Sequence, residues 1–380
     1  MKYAYFPGCS AHSTGISYTK SYDYVARAAG IELAEIPDWN CCGASAAHAE
    51  SELLGDALPA RSLALAEEAF GDTPVLAPCA GCYQHLKTAS AHAQENEDLR
   101  AQVESLIGRP WAASSYVANG LEPFLSQEVQ ERISARVSWP LNGLKVACYY
   151  GCALLRPTEI CAFDDDEQPH TMEQLVALSG AQAIEWHFKN ECCGASHQVT
   201  VPSLGRSMVR RIFENAFANG ADAIACACPL CMLNLDMREA EVNAARAKEG
   251  LPALDIPVYY FTELLATSMG APQEESGIGQ HFHPATNPHG RALESWQRQQ
   301  GAQKAAAEAE RAAKEAQRKA RAAARAAKAN SKVEAKPKAN TKAEAKPKED
   351  AATKDEAPAA NAAGTAAPAS VKDTEKEVIA

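Results

Sequence analysis

Ten of the thirteen cysteines recur as two ordered sets. The first runs Cys9, Cys41-Cys42 and Cys79-x-x-Cys82. The second runs Cys152, Cys192-Cys193 and Cys228-x-x-Cys231. The letters CCGAS at Cys41 return at Cys192, an offset of 151 residues. Repeated soft thiolates point to metal or redox chemistry. Structural zinc takes four ligands, and each set offers five. An ordinary cubane iron–sulfur cluster also takes four. Five thiolates therefore leave two alternatives: a cubane with a spare, or a cluster that is not a simple cube. Vicinal cysteines chelate one metal poorly and more readily reach different irons or share one sulfur as a bridge. Gly43 and Gly194, directly after them, permit a positive φ or close backbone approach. The remaining Cys148, Cys161 and Cys226 stand opposite Tyr5, Tyr18 and Ala77 in the duplication, and read as small buried thiols.

Elements of one kind must position both sets. KYAYFPG alternates like a strand, SYTKSYDYVARAAG reads as a helix and IELAEIP as a second strand. A helix follows over ESELLGDALPARSLALAEEAF, then the strand PVLAP, and a helix resumes after Cys82. The second copy repeats the order. LKVACYYG is a strand, TMEQLVALSG a helix and AIEWHF a strand. SLGRSMVRRIFENAFANG is a helix stopped by Gly220, and DAIACACP is a strand. After Cys231 a helix resumes, and IPVYYF and TELLATSMG close the body. Such alternation predicts an α/β fold of tandem βαβ units with parallel sheets. Sites in these sheets lie at the carboxyl ends of strands, where the repeated cysteines fall. Helix N-termini there favour thiolates.

The expected organisation is a first domain at 1–110, a linker at 111–142 that includes the helical PFLSQEVQERISARV, and a second domain at 143–270. An irregular extension follows at 271–300 and a low-complexity basic segment at 301–380. Residues 301–332 are strong helix formers with no apolar face, which predicts a solvated helix. Residues 333–380 are disordered by composition. Residues 296–380 carry 18 Lys and Arg against 12 Asp and Glu, a net +6, so 1–295 holds −17 of the total −11. An acidic body argues against nucleic-acid binding. No run of 18 apolar residues encodes a membrane span. MKYAYFPGCS lacks the apolar core of a secretory signal, so a cytoplasmic, reducing location is expected.

With YFPGC at 5–9 and YYGCALLRP at 149–157, the paired motifs resemble the cysteine-rich CCG domains of the B subunit of heterodisulfide reductase. The resemblance covers about 1–265 and excludes the tail. It implies an oxidoreductase acting on a sulfur group, with two noncubane [4Fe-4S] clusters. One would be held by Cys9, Cys41, Cys42, Cys79 and Cys82, the other by Cys152, Cys192, Cys193, Cys228 and Cys231. A disulfide would be cleaved reductively between them. The resemblance also implies a ferredoxin-like C subunit and a flavin-containing A subunit as partners. The sequence agrees: it has no Gly-rich dinucleotide fingerprint and no C-x2-C-x2-C-x3-C run, so flavin and relay clusters belong on other chains.

Lesser candidates surround this core. His12 and His197 lie near cluster cysteines and could donate a proton, or simply sit at the surface. His85 lies one helical turn beyond Cys82. Arg156 could orient an anionic substrate group, or form a structural salt bridge, and Lys189 is a weaker candidate for the same task. His281, His283 and His289 read as a surface loop, and the acidic run 163–168 as a solvated one. Two other functions remain open: an electron relay of a quinone-linked succinate or fumarate reductase, and a zinc-stapled scaffold.

Overall fold

The computed structural model describes residues 1–44, 46–282 and 287–333, with side chains to 324. It divides into two compact units, Met1–Arg311 and Ala312–Ala380. The first unit contains eight strands among the described residues: β1 (Lys2–Tyr5), β2 (Glu32–Glu35), β3 (Val75–Ala77), β4 (Val117–Asn119), β5 (Lys145–Tyr149), β6 (Gln182–Ala183), β7 (Ala223–Cys226) and β8 (Val258–Tyr260). They form two parallel four-stranded sheets of matching order, β2-β1-β3-β4 and β6-β5-β7-β8. The expected α/β duplication is the observed architecture.

The central strands are apolar because helices cover both faces of each sheet. All of β3, β7 and β8 is buried. The helices start where the sequence supplies caps. Ser51 accepts the Leu54 amide at 3.0 Å to open Glu52–Phe70, and Asn96 accepts that of Leu99 at 3.0 Å to open Glu97–Ile107. The helix Ile16–Ala28 buries Tyr18, Tyr22 and Val25. It packs against Phe261–Ser268 of the other copy, where the Ser21 and Thr262 hydroxyls meet at 2.7 Å.

In each sheet the chain passes from the first strand to one neighbour, then crosses back to the opposite side for the third. That reversal places the topological switch point at the carboxyl ends of β1 and β3, and equally of β5 and β7.

Three expectations change. The segment 111–142 is more than a linker: β4 lies in it and pairs Val75 with Val117 as the fourth strand. AIEWHF is a strand only at Ala183. Beyond it Trp186 turns its indole to donate to the Cys148 carbonyl at 2.9 Å. The extension 271–300 is helical from Pro288, in a helix that runs to Val333. Its first turns are anchored, with Arg291 Nη1 2.6 Å from Asp255 and Gln299 donating to the Gly143 carbonyl at 2.9 Å. From 301 to 324 every residue is exposed, as expected of a helix without an apolar face. The expectation of disorder at 334–380 lies outside the described residues.

Candidate functional site: two thiol sets at the strand ends

Each cysteine of the two sets follows a strand or opens a helix. Cys9 and Cys152 leave β1 and β5, and the vicinal pairs follow β2 and β6. Cys79 and Cys228 are the N-caps of Ala80–Glu95 and Pro229–Lys248, with Cys82 and Cys231 in the first turns. Helix polarity there stabilises negative sulfur. The Cys82 amide also donates to Cys79, and the Leu230 and Cys231 amides donate to Cys228.

The two copies gather their thiols alike. Cys42 Sγ lies 3.3 Å from Cys82 Sγ, and Cys193 Sγ 3.6 Å from Cys231 Sγ. The amide of Gly43 points to Cys41 Sγ at 3.5 Å, and that of Gly194 to Cys192 Sγ at 3.3 Å. Both glycines have a positive φ, at 77° and 75°. A Cβ on Gly43 would meet Ala47 at 2.7 Å, and one on Gly194 would meet Met208 Sδ at 2.8 Å. A second matched pair is Gly8 and Gly151, with φ of 76° and 68°. A Cβ there would lie 3.0 Å from Cys82 Sγ or 3.1 Å from Cys231 Sγ. The sequence reading missed this pair, although a glycine precedes the first cysteine of each set.

The thiols act on one another. Hydrogen bonds from Cys41 and then Cys82 pull Cys42 down to about 3, and Cys41 rises in return. Cys152 pulls Cys192 down to about 6. Cys231 lowers Cys193, and it lowers Cys228 together with Cys79. Cys79 is raised, first by its hydrogen bond to Cys228. That last interaction joins the two copies, so the two sets meet side chain to side chain. Cys9 and Cys41 are exposed, and Cys42, Cys79, Cys82, Cys193, Cys228 and Cys231 are buried.

This donor set is all thiol, with main-chain amides directed at sulfur, and it fits iron–sulfur clusters. Among the described residues, no three His, Cys, Asp or Glu side chains converge as a single ion requires.

The other candidates fall in several places. Lys189 is 1% exposed and ion-paired with Glu173 at 2.8 Å and Glu185 at 3.5 Å. It is therefore a buried cation held by two carboxylates rather than one open to a substrate anion. Its carbonyl accepts the Tyr150 and Gly151 amides, which fixes the loop entering Cys152. Arg156 is exposed and reaches the Asp166 carbonyl at 3.5 Å, while its own carbonyl accepts Gln84 of the first copy at 3.1 Å. His12 is exposed and stacks on Trp39, with ring centroids 6.5 Å apart. His197 opens a short helix after the second vicinal pair, and its charge helps lower Cys192. His85 Nδ1 lies 3.0 Å from His48 Nε2. Cys148, Cys161 and Cys226 are buried, the first and last on β5 and β7.

His281 pairs with Glu263 at 2.8 Å, and His289 faces the Thr267 carbonyl at 3.2 Å. His283 lies outside the described residues. The acidic loop caps itself: Asp165 accepts the Glu167 and Gln168 amides, and Asp164 those of His170 and Thr171.

The family described as a cysteine-rich domain, CCG, matches residues 3–87 and 146–236. The chain is 32% identical over 289 residues to the 8-methylmenaquinol:fumarate reductase membrane anchor subunit of Wolinella succinogenes, covering 75% of this chain and 98% of that protein. It is 27% identical over 286 residues to the B subunit of the ferredoxin:CoB-CoM heterodisulfide reductase of Methanosarcina mazei, covering 74% and 93%. A protein of Archaeoglobus profundus named as similar to the heterodisulfide reductase B subunit is 27% identical, with 73% and 94% covered. A hypothetical protein from Helicobacter pylori shares the fold, with a TM-score of 0.54 at 12% identity. That match covers 75% of this chain and spans 52% of the Helicobacter chain. No described helix is long and apolar enough to cross a membrane. With two cysteine-rich copies, two matching sheets and these relatives, the chain belongs to the duplicated CCG-domain family that includes the B subunits of heterodisulfide reductases.

Proposed function

We propose that the protein is the iron–sulfur subunit of a disulfide-reducing complex. The observation that carries this reading is the meeting of Cys79 and Cys228 across the copies. Two similar thiol sets facing one junction suit the two similar sulfur atoms of one disulfide. Cys9, Cys41, Cys42, Cys79 and Cys82 would hold one noncubane [4Fe-4S] cluster. Cys152, Cys192, Cys193, Cys228 and Cys231 would hold the other. When bound, the clusters would each supply one electron and a Lewis-acidic iron to one sulfur. The S–S bond breaks, two electrons and two protons are consumed, and two thiols leave. The chain's own work is positional. Main-chain amides donate to ligand sulfurs at Cys41, Cys79, Cys192 and Cys228, and Gly8 and Gly151 let the loops close on Cys82 and Cys231. His12, which is exposed, and His197, half-buried after the second vicinal pair, are the candidate proton donors. Electrons would come from a ferredoxin-like C subunit fed by a flavin-containing A subunit, with the complex in the cytoplasm.

A second reading is favoured by the 32% identity over nearly the whole Wolinella subunit. In it, the same clusters relay electrons between a quinone and a dicarboxylate reductase. Thiol titration of anaerobically purified protein under oxidising conditions separates the two. A new thiol-dependent EPR signal is expected for disulfide chemistry, and none at saturating thiol for a relay. Zinc without sulfide would remove both readings.

A further inference from the structure

The two copies diverge where a helix follows each vicinal cysteine pair. Ser51 and Val201 are the matching N-caps of Glu52–Phe70 and Pro202–Ala218. The match continues inside both helices: a Cβ on Gly55 would strike His48 at 2.3 Å, and one on Gly205 would strike Gln198 at 2.5 Å. Ser51 caps its helix with a side-chain bond, and Val201 does not. Valine is among the poorer N-cap residues. Yet Val201 is 46% exposed, with Leu204 at 45% and Val199 at 90%. The first copy has Ser51, the half-buried Leu54 and Ala49 at these places. Single exposed apolar residues are ordinary. Three within six positions, one of them where a polar cap belongs, form a patch.

The patch borders the second vicinal pair. A Cβ on Gly194 would lie 2.8 Å from Met208 Sδ and 3.1 Å from Gly205 Cα, so the start of Pro202–Ala218 packs on the glycine after Cys193. Leu204, Met208 and Arg211 stand at i, i+4 and i+7 of that helix, on one face. At the end of this row the Arg211 guanidinium lies over the Phe188 ring, 5.2 Å from its centroid. Phe188 precedes Cys192 by four residues. The row therefore runs beside the loop from Phe188 to Gly194, which carries Cys192 and Cys193. Cys192 is only half-buried there.

Charge marks the same helix. Pro202–Ala218 carries Arg206, Arg210 and Arg211 against Glu214, a net of +2. Glu52–Phe70 carries Arg61 against Glu52, Asp56, Glu67 and Glu68, a net of −3. Arg210 is committed to Glu214 and Glu249, at 2.8 and 2.6 Å. Arg206 is 46% exposed, with Glu241 at 4.0 Å. Arg211 is exposed and has no carboxylate partner among the described residues. Glu191 is the acidic residue of the adjoining loop.

We infer that Val199, Val201 and Leu204, rimmed by Arg206 and Arg211, are the docking face for a small acidic, ferredoxin-like iron–sulfur protein that exchanges electrons with the second thiol set. An apolar centre with a charged rim is the anatomy of a specific interface, and the basic rim selects and steers an acidic partner. Electron transfer weakens steeply with distance, so a carrier must seat beside the cluster it serves. This face lies against the loop of Cys192 and Cys193, and the first copy has neither its valines nor its positive charge. Electrons would enter at the second set and reach the first across the junction of the copies. The inference rests on the iron–sulfur reading, and holds whether a disulfide is cleaved or electrons are relayed.

The test uses the full, anaerobically purified chain and, as probe, an acidic ferredoxin with two [4Fe-4S] clusters. Calorimetry reads the Kd of the oxidised ferredoxin, and stopped-flow absorbance reads electron transfer from the reduced one. Arg206→Glu and Arg211→Glu are each expected to weaken binding and slow transfer about tenfold at low salt, with the difference shrinking as salt rises. Val199→Ser with Val201→Ser restores a capping side chain and is expected to weaken binding about tenfold at every salt concentration. Arg136→Glu makes the same charge change at an exposed residue elsewhere, and should change either readout by no more than about twofold. Wild-type affinity in the face variants, or an equal loss in Arg136→Glu, overturns the inference and leaves the iron–sulfur reading intact. So does loss of iron from all the face variants, which would make the face structural. A loaded wild type that dithionite reduces, but that the ferredoxin neither binds nor reduces, overturns the inference too. A wild-type dimer in sedimentation that the double serine variant dissociates does the same, because a second copy then covers the face. A wild-type chain without iron and sulfide removes the iron–sulfur reading as well.

Discussion

Cys79 caps a helix of the first copy, Cys228 caps a helix of the second, and each thiol shifts the other's pKa across the boundary, Cys79 upward and Cys228 downward. Two five-thiol sets thus share an edge while remaining separate in chain and sheet. Serine is a poor replacement for a thiolate on iron. We expect about eight irons per chain in the wild type and about four in Cys42→Ser or Cys193→Ser, the lost half belonging to the mutated copy. Iron and acid-labile sulfide analysis reads this directly. Retention of all the iron in either variant removes the five-ligand assignment.

Gly8 and Gly151 make the same demand at opposite sites. Alanine at either would meet a sulfur at 3.0 or 3.1 Å and hold a left-handed backbone. The backbone term alone costs about 1–2 kcal/mol. Gly8→Ala should impair loading of the first site only, and Gly151→Ala of the second only. Loss of both clusters from one substitution would point to general unfolding instead, and circular dichroism distinguishes the cases.

Much of this arrangement is legible in the sequence because its signals are local. The cysteine order, the glycine after each vicinal pair and the alternation of strand and helix all lie within short windows. What was not legible depends on distant partners. Val117–Asn119 is three residues long, and it is a strand because β3 lies beside it. Glu185–Phe188 leaves its sheet as Trp186 finds the Cys148 carbonyl. Lys189 looked available for a ligand because Glu173 lies sixteen positions away in sequence. The stacking of Tyr18 on Tyr260 spans 242 positions, and no periodicity announces it.

Stability should fall as pH rises from about 4.5 through neutrality. Burial, then Asp255 and Asp236, push the Glu239 carboxyl up to about 7, against the opposing charge of Arg291. Folding therefore favours its protonated form. The benefit is complete below about pH 4.5, the ordinary glutamate range, and is lost as pH climbs through 7. His281 acts in the same direction: burial lowers its pKa, but the Glu263 carboxylate at 2.8 Å more than compensates, and the net shift is upward. That contribution is complete below its ordinary 6.5 and is also lost at higher pH. Glu239→Gln should gain on the order of 3 kcal/mol relative to wild type between pH 5 and pH 8. Calorimetry across that range reads it, and parallel wild-type and variant curves would contradict the assignment.

The long C-terminal helix should be two things energetically. Its first turns belong to the body: Arg291 and Ser295 are 4% and 2% exposed. Arg291 donates to the Asp222 carbonyl at 3.0 Å, and Ser295 and Arg298 bind the Asp222 carboxylate. Asp222 also accepts the Lys145 amide at 3.0 Å where β5 begins, so this contact supports the strand that leads to Cys152. By contrast, residues 301–324 bury nothing. Ending the chain at Arg311 should leave the melting temperature and iron content unchanged. Ser295→Ala together with Arg298→Ala leaves the buried Asp222 carboxylate short of donors. Losing two such hydrogen bonds should cost about 2–4 kcal/mol. Thermal melts of the two proteins decide the point: equal destabilisation by both changes would mean that the exposed segment also carries part of the body's stability.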